Sequence, residues 1–467
     1  MTRTVEKRVL LLVSSLASFL VPYTVSSIAV ALPAMGAEFN LDAVQMGWIT
    51  SAYLLTAAVF IVPFGKLADL YGRKKLFLFG NILFTIGSLM AAFSWSGEAL
   101  IVARVIQGLG GSLVFSTSIA IVTAVFPPGE RGRAIGIITA TVYAGLSIGP
   151  FLGGILTQNF GWPSIFLLNV PLGIIVIAAT LIPIPGEWAE SGRNGFDLSG
   201  AVLYGLMLFG ALYGLSLLPG WQGIAWMAAG AVFLATFVWW ERRYPASMLD
   251  LSIFRGNPTF IFSNLAAMIN YSVVFAVSFL MSLYLQYIRG LDAQTAGLIL
   301  VTMPFVQVVV SPLAGQLSDS IEPRILATVG MACTAAGLGV MALVSAGTPL
   351  VLIIVGLGVL GLGYSLFSSP NTNAIMSAVQ FHHLGVASAM VSTMRSIGQM
   401  VSMAIAMIVF SVIIGPQPVS PAVYPELQQS ITWIFSVFCI LAVIGIWASY
   451  MRGTIHPSPE PVKGRME

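Results

Sequence analysis

Apolar runs of roughly 20 residues recur along the whole chain, and that is the length a helix needs to cross a hydrocarbon core. Helices of this kind satisfy every backbone N–H and C=O internally, so the pattern predicts a bundle of spanning helices. The runs fall at 8–36, 44–65, 74–94, 99–126, 133–157, 163–184, 197–218, 221–241, 259–288, 294–317, 325–345, 349–375, 385–414 and 428–451. They make about fourteen spans joined by short connections, and the expected class is an all-α polytopic membrane protein. The first run follows Arg3, Lys7 and Arg8 as a signal peptide would. Its apolar stretch is too long for one, and no small-residue cleavage site precedes a soluble domain, so a mature helix is expected.

Composition agrees with the pattern. Only 8% of residues are charged and 57% are hydrophobic. The basic residues then give a sidedness. They sit in alternate loops: the N-terminus, Arg73-Lys74-Lys75, Arg131 and Arg133, Arg193, Arg242-Arg243 with Arg255, Arg324, and Arg452, Lys463 and Arg465. Arg289 is the one exception in the opposite loops. The positive-inside rule puts both termini in the cytoplasm and requires an even number of spans. The net charge of +3 then reflects loops facing the anionic lipid of a plasma membrane, not nucleic acid. Cys333 and Cys439 both fall inside spans, which gives neither a disulfide framework nor a metal site. His382-His383 reads as a solvated loop pair rather than a ligand pair. No phosphate loop, zinc-protease helix or Gly-x-Ser-x-Gly elbow occurs, so no cofactor and no enzyme activity are expected.

The chain also echoes itself. The second span ends Gly65-Lys66-Leu67-Ala68-Asp69-Leu70-Tyr71-Gly72-Arg73-Lys74, and the tenth ends Gly315-Gln316-Leu317-Ser318-Asp319-Ser320-Ile321-Glu322-Pro323-Arg324. Gly, Leu, Asp and the final basic residue share one spacing. Two related six-span halves follow, at about 1–184 and 250–452, with two additional spans within 185–249 and a cytoplasmic tail at 453–467. Repeats of this kind build secondary transporters, whose substrate site lies between the halves near the midplane.

Several motifs resemble those of the major facilitator superfamily. The Gly65–Lys74 segment is similar to that family's loop between its second and third helices, although Leu70 stands where the family places a basic residue. Arg104-Val105-Ile106-Gln107-Gly108 resembles the fourth-helix motif. Gly145 through Gly154 resembles the fifth-helix motif of exporters. Trp162 through Phe166, Asn169, Pro171 and Gly173 resemble the sixth-helix pattern of the fourteen-span drug/proton antiporter branch, with Pro163 in place of its usual Arg. Phe196 through Gly200 and Pro245 through Phe254 are also similar to that branch. The resemblance implies a monomeric secondary transporter working by alternating access, exporting multidrug-type or amphipathic organic compounds, with protons as coupling ions.

Four constellations are candidates for function. Asp69, beside Arg73 and Lys74, will stay ionised and pair locally. It reads either as a topological anchor or as a latch closing the two halves at the cytoplasmic face, with Gly65 and Gly72 permitting close approach and Asp319 and Arg324 as its echo. Gly145, Gly149 and Gly153 repeat every four residues and present one small face, with Pro150 favouring a kink. That face is expected to be a packing seam and also the place where the halves slide. Arg104 lies roughly 8 Å inside the fourth span at 1.5 Å per residue. It either snorkels or, with Gln107 on the same face, forms a polar interior site to which the resemblance gives a coupling role.

Arg395 is the sharpest of the candidates. It sits near the centre of the thirteenth span, where a charge costs at least about 2.5–3.5 kcal/mol on insertion scales. Ser388, Ser392, Arg395, Gln399 and Ser402 are spaced 4, 3, 4 and 3, so they form one polar stripe. The stripe faces either a wet cavity or the twelfth span, which Ser368-Ser369-Pro370-Asn371 is expected to interrupt. Tyr53, Tyr143, Asn270, Tyr271, Tyr364 and Asn371 are candidate cavity linings, each with a structural reading beside it.

An absence completes the reading. The fourteen-span antiporters carry an acidic residue in the first span, but the corresponding stretch here is Tyr23-Thr24-Val25-Ser26-Ser27. No Asp or Glu falls in the interior of any span. Proton/cation exchange needs a buried carboxylate that either ligand can neutralise. Anionic, zwitterionic or neutral amphipathic substrates therefore fit better than cations. A uniporter and a lipid-type transporter stay open as alternatives, whereas an intramembrane enzyme lacks paired acids and a channel needs no centred arginine.

Overall fold

The computed structural model describes residues 2–126, 128–181, 196–243, 251–254, 256–380 and 384–453. Arg193, Arg255, His382, His383 and the tail beyond 453 lie outside the described residues, as does the side chain of Asp319. Among the described residues, 14 helices are long and apolar enough to cross a membrane. Spans 1 to 6 are Lys7–Phe39, Ala43–Tyr71, Arg73–Ala92, Gly97–Val125, Arg133–Phe160 and Pro163–Leu181. Spans 7 and 8 are Leu198–Ser216 and Trp221–Glu241. Spans 9 to 14 are Pro258–Ile288, Ala293–Ser318, Pro323–Ala342, Leu350–Ser377, Val386–Ile413 and Pro421–Met451.

Polar caps start several of these helices. Asp42 Oδ1 accepts the Gln45 amide at 2.7 Å while Gln45 Oε1 accepts the Asp42 amide at 3.0 Å, a reciprocal box at the head of span 2. Ser96, Asp197 and Asp292 cap spans 4, 7 and 10 in the same way, accepting from the amide three residues on.

The helices pack twice by one plan. In the first half, span 1 lies on spans 5 and 6, and span 4 on spans 2 and 3. In the second, span 9 lies on spans 13 and 14, and span 12 on spans 10 and 11. The close crossings repeat as well. Gly80 of span 3 presses on the Gly110 carbonyl of span 4, and Gly330 of span 11 presses on the Gly363 carbonyl of span 12. Glycine is required there, because an added Cβ would meet those oxygens at 3.1 and 2.7 Å. The halves meet where span 2 lies against span 13 and span 5 against span 10, with span 1 touching span 9. Spans 7 and 8 form a hairpin, and span 7 rests on both span 2 and span 13.

The expected interruption of span 12 is corrected. Its helix runs unbroken from Leu350 to Ser377 with Pro370 inside it. A membrane helix tolerates proline where neighbouring helices and hydroxyl side chains re-satisfy the backbone. The irregular backbone lies elsewhere. Span 9 breaks at Phe275-Ala276 and ends in a π turn over Tyr284–Ile288. Ser402 Oγ accepts the freed Ala276 amide at 3.0 Å. Span 10 breaks at Val301.

Candidate functional site

The two halves are joined at the end of the bundle opposite the chain termini. Gln286 Nε2 donates to the Val30 carbonyl at 2.9 Å, and Tyr287 Oη donates to the Pro33 carbonyl at 3.1 Å. Asp42 pairs with Pro418 in an isolated β-bridge. Gly154 of span 5 packs on span 10, where an added Cβ would meet the Ala293 carbonyl oxygen at 2.5 Å, and Gly297 packs back on the Pro150 carbonyl.

From that seal the halves part toward the termini, and two helix faces record it. Along span 5, Gly136, Ala140, Tyr143, Ser147, Pro150 and Gly154 share one face. Gly136 and Ala140 are exposed, Tyr143 and Ser147 half-buried, and Pro150 and Gly154 buried. Along span 13 the polar stripe does the same. Ser388 is exposed, Ser392, Arg395 and Gln399 are half-buried, and Ser402 is buried. Both faces use the 4, 3, 4, 3 spacing of one helical stripe. The result is a crevice, sealed at one end and open at the end that carries the termini.

Arg395 lies partway down this crevice. Its guanidinium is over the Phe115 ring of span 4 at 5.6 Å, a cation–π contact across the halves. Tyr53, Tyr143 and Tyr364 all lie within its electrostatic reach. Ser147 Oγ, one turn from Tyr143, donates to the Pro304 carbonyl across the halves at 3.0 Å. Tyr364 and Tyr271 stack edge-on at 5.9 Å, with their hydroxyls 3.4 Å apart. Spans 2, 4, 5, 9 and 12 thus bring aromatic side chains around a cation on span 13.

Arg104 does not snorkel. It is 0% exposed. Its Nε donates to the Ile49 carbonyl at 3.0 Å, one terminal nitrogen donates to Gln107 Oε1, and Gln107 Nε2 donates to Ser88 Oγ at 2.7 Å. The guanidinium lies over the Tyr53 ring at 4.5 Å. Tyr53, 3% exposed, therefore stands between the two arginines. Among the described residues, Nη2 of Arg104 has no hydrogen-bond partner.

Three expectations change. Asn270 and Asn371, 0% and 2% exposed, do not line the crevice. Asn270 Nδ2 points to Met331 Sδ at 3.6 Å, and Asn371 Nδ2 donates to the Ser263 carbonyl at 3.2 Å, so both join helices within the second half. Amide side chains commonly serve between membrane helices in this way. Gly145, Gly149 and Gly153 are not where the halves slide. They face the Phe19 carbonyl, Ser26 and Ser27 of span 1, in their own half. The cross-half contact belongs to Pro150 and Gly154, one helix face around.

The Asp69 loop is braced by an ion pair of its own. Arg73 reaches Asp69 Oδ1 through Nε and Nη2, both at 2.8 Å, and the Ala120 carbonyl of span 4 at 3.4 Å. Gly72 takes φ 115°, which makes the tight turn into span 3. Gly65 lies open beside Ser116, with Lys74 on the next helix. Arg324 stacks over the Tyr450 ring at 3.8 Å. Arg289, the outlier in the charge pattern, donates to the Thr348 carbonyl and to Tyr284 Oη, so it holds a loop together. Phe115 was not among the candidates. Phe115 follows Arg104 by about three helical turns on the same face, a spacing the sequence contains.

Comparison with known proteins agrees with this geometry. The sequence model of the Major Facilitator Superfamily matches residues 14–403 and 264–466. The riboflavin transporter RibZ of Clostridioides difficile is 33% identical over 396 residues, covering 84% of this chain and 86% of RibZ. The multidrug resistance protein Stp of Mycobacterium tuberculosis is 35% identical over 403 residues, covering 85% of this chain and 74% of Stp. Among solved structures, an inward-facing, unoccupied bacterial homologue of the human lysosomal transporter Spinster superposes with a TM-score of 0.70 at 16% identity, covering 97% of each chain. A repeated six-span plan, an interhalf crevice and a family match along nearly the whole length lead to one conclusion: the chain belongs to the Major Facilitator Superfamily and is a multi-pass membrane transporter.

Proposed function

We propose that this transporter exports amphipathic organic compounds across the plasma membrane by alternating access, with both termini cytoplasmic. The carrying observation is the matched gradient on spans 5 and 13, exposed at the terminal end and buried at the other. With the termini cytoplasmic, the open end faces the cell interior, the side from which an exporter loads. The relative named for multidrug resistance supports export of organic compounds.

On this reading Tyr143, Arg395 and Gln399 meet the substrate, and Tyr53 lies buried in the wall behind them. Arg104 and Gln107 brace Tyr53 from behind. The Asp69–Arg73–Lys74 cluster and its echo at Asp319 and Arg324 latch the cytoplasmic end when the halves rock closed. Pro150, Gly154 and Gly297 form the outer seal that opens in exchange. The protein works as a monomer. Proton coupling, which the family resemblance implies, needs a group that titrates in the crevice, and the crevice offers tyrosines and one arginine.

The test is labelling of Ala140→Cys and Ser388→Cys in oriented membranes. Both should react with an impermeant thiol reagent from the cytoplasmic side, and reaction should slow when the chain is driven outward-facing. Labelling from the opposite side only, or at a rate that no substrate changes, would overturn the reading.

A further inference from the structure

The charge around the crevice is one-sided. Among the described residues, no Asp or Glu lies in the interior of a span, so no described carboxylate faces Arg395. Arg395 is half-buried, hence reachable, and its described contact is an aromatic face rather than a counterion. A guanidinium held against a ring keeps its in-plane N–H donors free to fork onto two oxygens of a carboxylate or sulfonate. Tyr53, Tyr143, Tyr364 and Phe115 supply ring surface around it from both halves, and Gln399 lies one turn beyond on the same stripe. Arg104, behind Tyr53, adds a second positive charge to the same wall. A cation entering here would meet two like charges with no carboxylate among the described residues to neutralise either.

We infer that the substrate is an aromatic organic anion, its carboxylate or sulfonate held by Arg395 and its ring packed among the tyrosines, and that an inside-negative membrane potential drives its exit. The inference rests on the transport reading above. It assigns what that reading leaves open, the charge of the cargo and the source of the driving force. An anion leaving a negative interior runs downhill electrically, so the step balances with no proton, nucleotide or second substrate.

The experiment uses the full chain in proteoliposomes and two probes of matched ring size and permanent charge, 2-naphthalenesulfonate and N-methylquinolinium. Each is loaded inside, pH is held equal on both sides, and a potassium diffusion potential is imposed. The sulfonate should leave faster with the interior negative and slower with it positive, while a pH gradient alone should change nothing. Arg395→Gln should slow sulfonate exit about tenfold or more, the size of one lost charge-assisted hydrogen bond. Arg395→Lys should retain part of the rate, and a thermal melt of each variant separates loss of the site from loss of the fold. Transport of the quinolinium by the wild type would overturn the anion assignment and leave the transport reading standing. Sulfonate exit that follows pH and ignores potential would overturn the driving force. Movement of neither probe, with no thermal shift from either, would overturn the substrate class, whereas the cysteine labelling above judges transport independently.

Discussion

The hydroxyls of Tyr204 and Thr393 lie 3.2 Å apart, both buried, and they tie span 7 to the helix that carries Arg395 two residues later. The same span holds the other half through Tyr213, whose ring packs at a tilt against Trp48 of span 2, with centroids 5.5 Å apart. The additional hairpin therefore touches both moving bodies. We predict that Tyr204→Phe and Thr393→Val each lower stability by about 1 kcal/mol, the net worth of one buried hydrogen bond. In a double-mutant cycle read by thermal unfolding the two effects should be less than additive. Full additivity would mean that the hydroxyls do not interact.

Buried positions on the two graded faces give a second test. Ser402→Cys, at the sealed end of span 13, should resist the reagent that labels Ser388→Cys. Equal labelling of the two would remove the seal from this conformation.

The small face of span 5 should be a stability feature of one half. Gly149→Ala pushes a methyl into Ser26 and the Tyr23 carbonyl, and Gly145→Ala pushes one toward the Phe19 carbonyl. Each should cost about 1–3 kcal/mol, the range for overpacking. Gly136→Ala, with nothing within 4 Å of the added carbon, should be neutral or slightly stabilising through helix propensity. Melting of the three variants checks this, and equal effects at all three positions would count against the packing described.

Arg104→Gln leaves Gln107 Oε1 without its donor and removes the bond from span 4 to the Ile49 carbonyl of span 2. A stability loss of about 1–3 kcal/mol is expected, chiefly from the unsatisfied Gln107 oxygen. Arg104→Lys should not rescue it, because an ammonium cannot fork between a carbonyl and an amide while lying flat on Tyr53. An unchanged melting temperature in either variant would show that this network is not holding spans 2, 3 and 4 together.

Asp292, outside the spans, gives a pH dependence. The Thr295 amide and hydroxyl hold its carboxylate below the ordinary Asp range. A depressed folded-state pKa contributes stability above the unfolded pKa, and that stability is lost as pH falls through the folded value. The contribution is a helix cap worth about 1 kcal/mol. Asp292→Ala should lower the melting temperature near neutrality and converge with the wild type in acid. A difference that persists unchanged at low pH would assign the effect to something other than the cap.

Much of this architecture is legible without coordinates. Hydrocarbon thickness sets helix length, so apolar runs alone mark the 14 spans to within a few residues at most ends. The exceptions are informative. Span 14 begins at Pro421 rather than near 428 because its polar first turn still hydrogen-bonds as helix. Pro370 looks like a break and is not one, while span 9 breaks where no proline stands. A proline is a local signal, but whether its missing bond matters depends on what the neighbouring helices supply.

The stripe through Arg395 and the polar pair Arg104–Gln107 were readable from spacing, because one helix face is a property of one segment. Which face meets which helix was not. Asn270 and Asn371 look as available as Tyr143 until the second half folds around them, and Gly145, Gly149 and Gly153 look like a sliding seam until span 1 covers them. The sequence by itself determined the membrane class, the spans, the doubled plan and the lone central cation, since these follow from hydrophobic length, repeat spacing and the cost of charge in lipid. Only the tertiary structure decided that one end is sealed and the other open, that tyrosines from both halves gather around Arg395, and that span 7 straddles the joint. Those are relations between segments far apart in sequence, and packing rather than periodicity sets them.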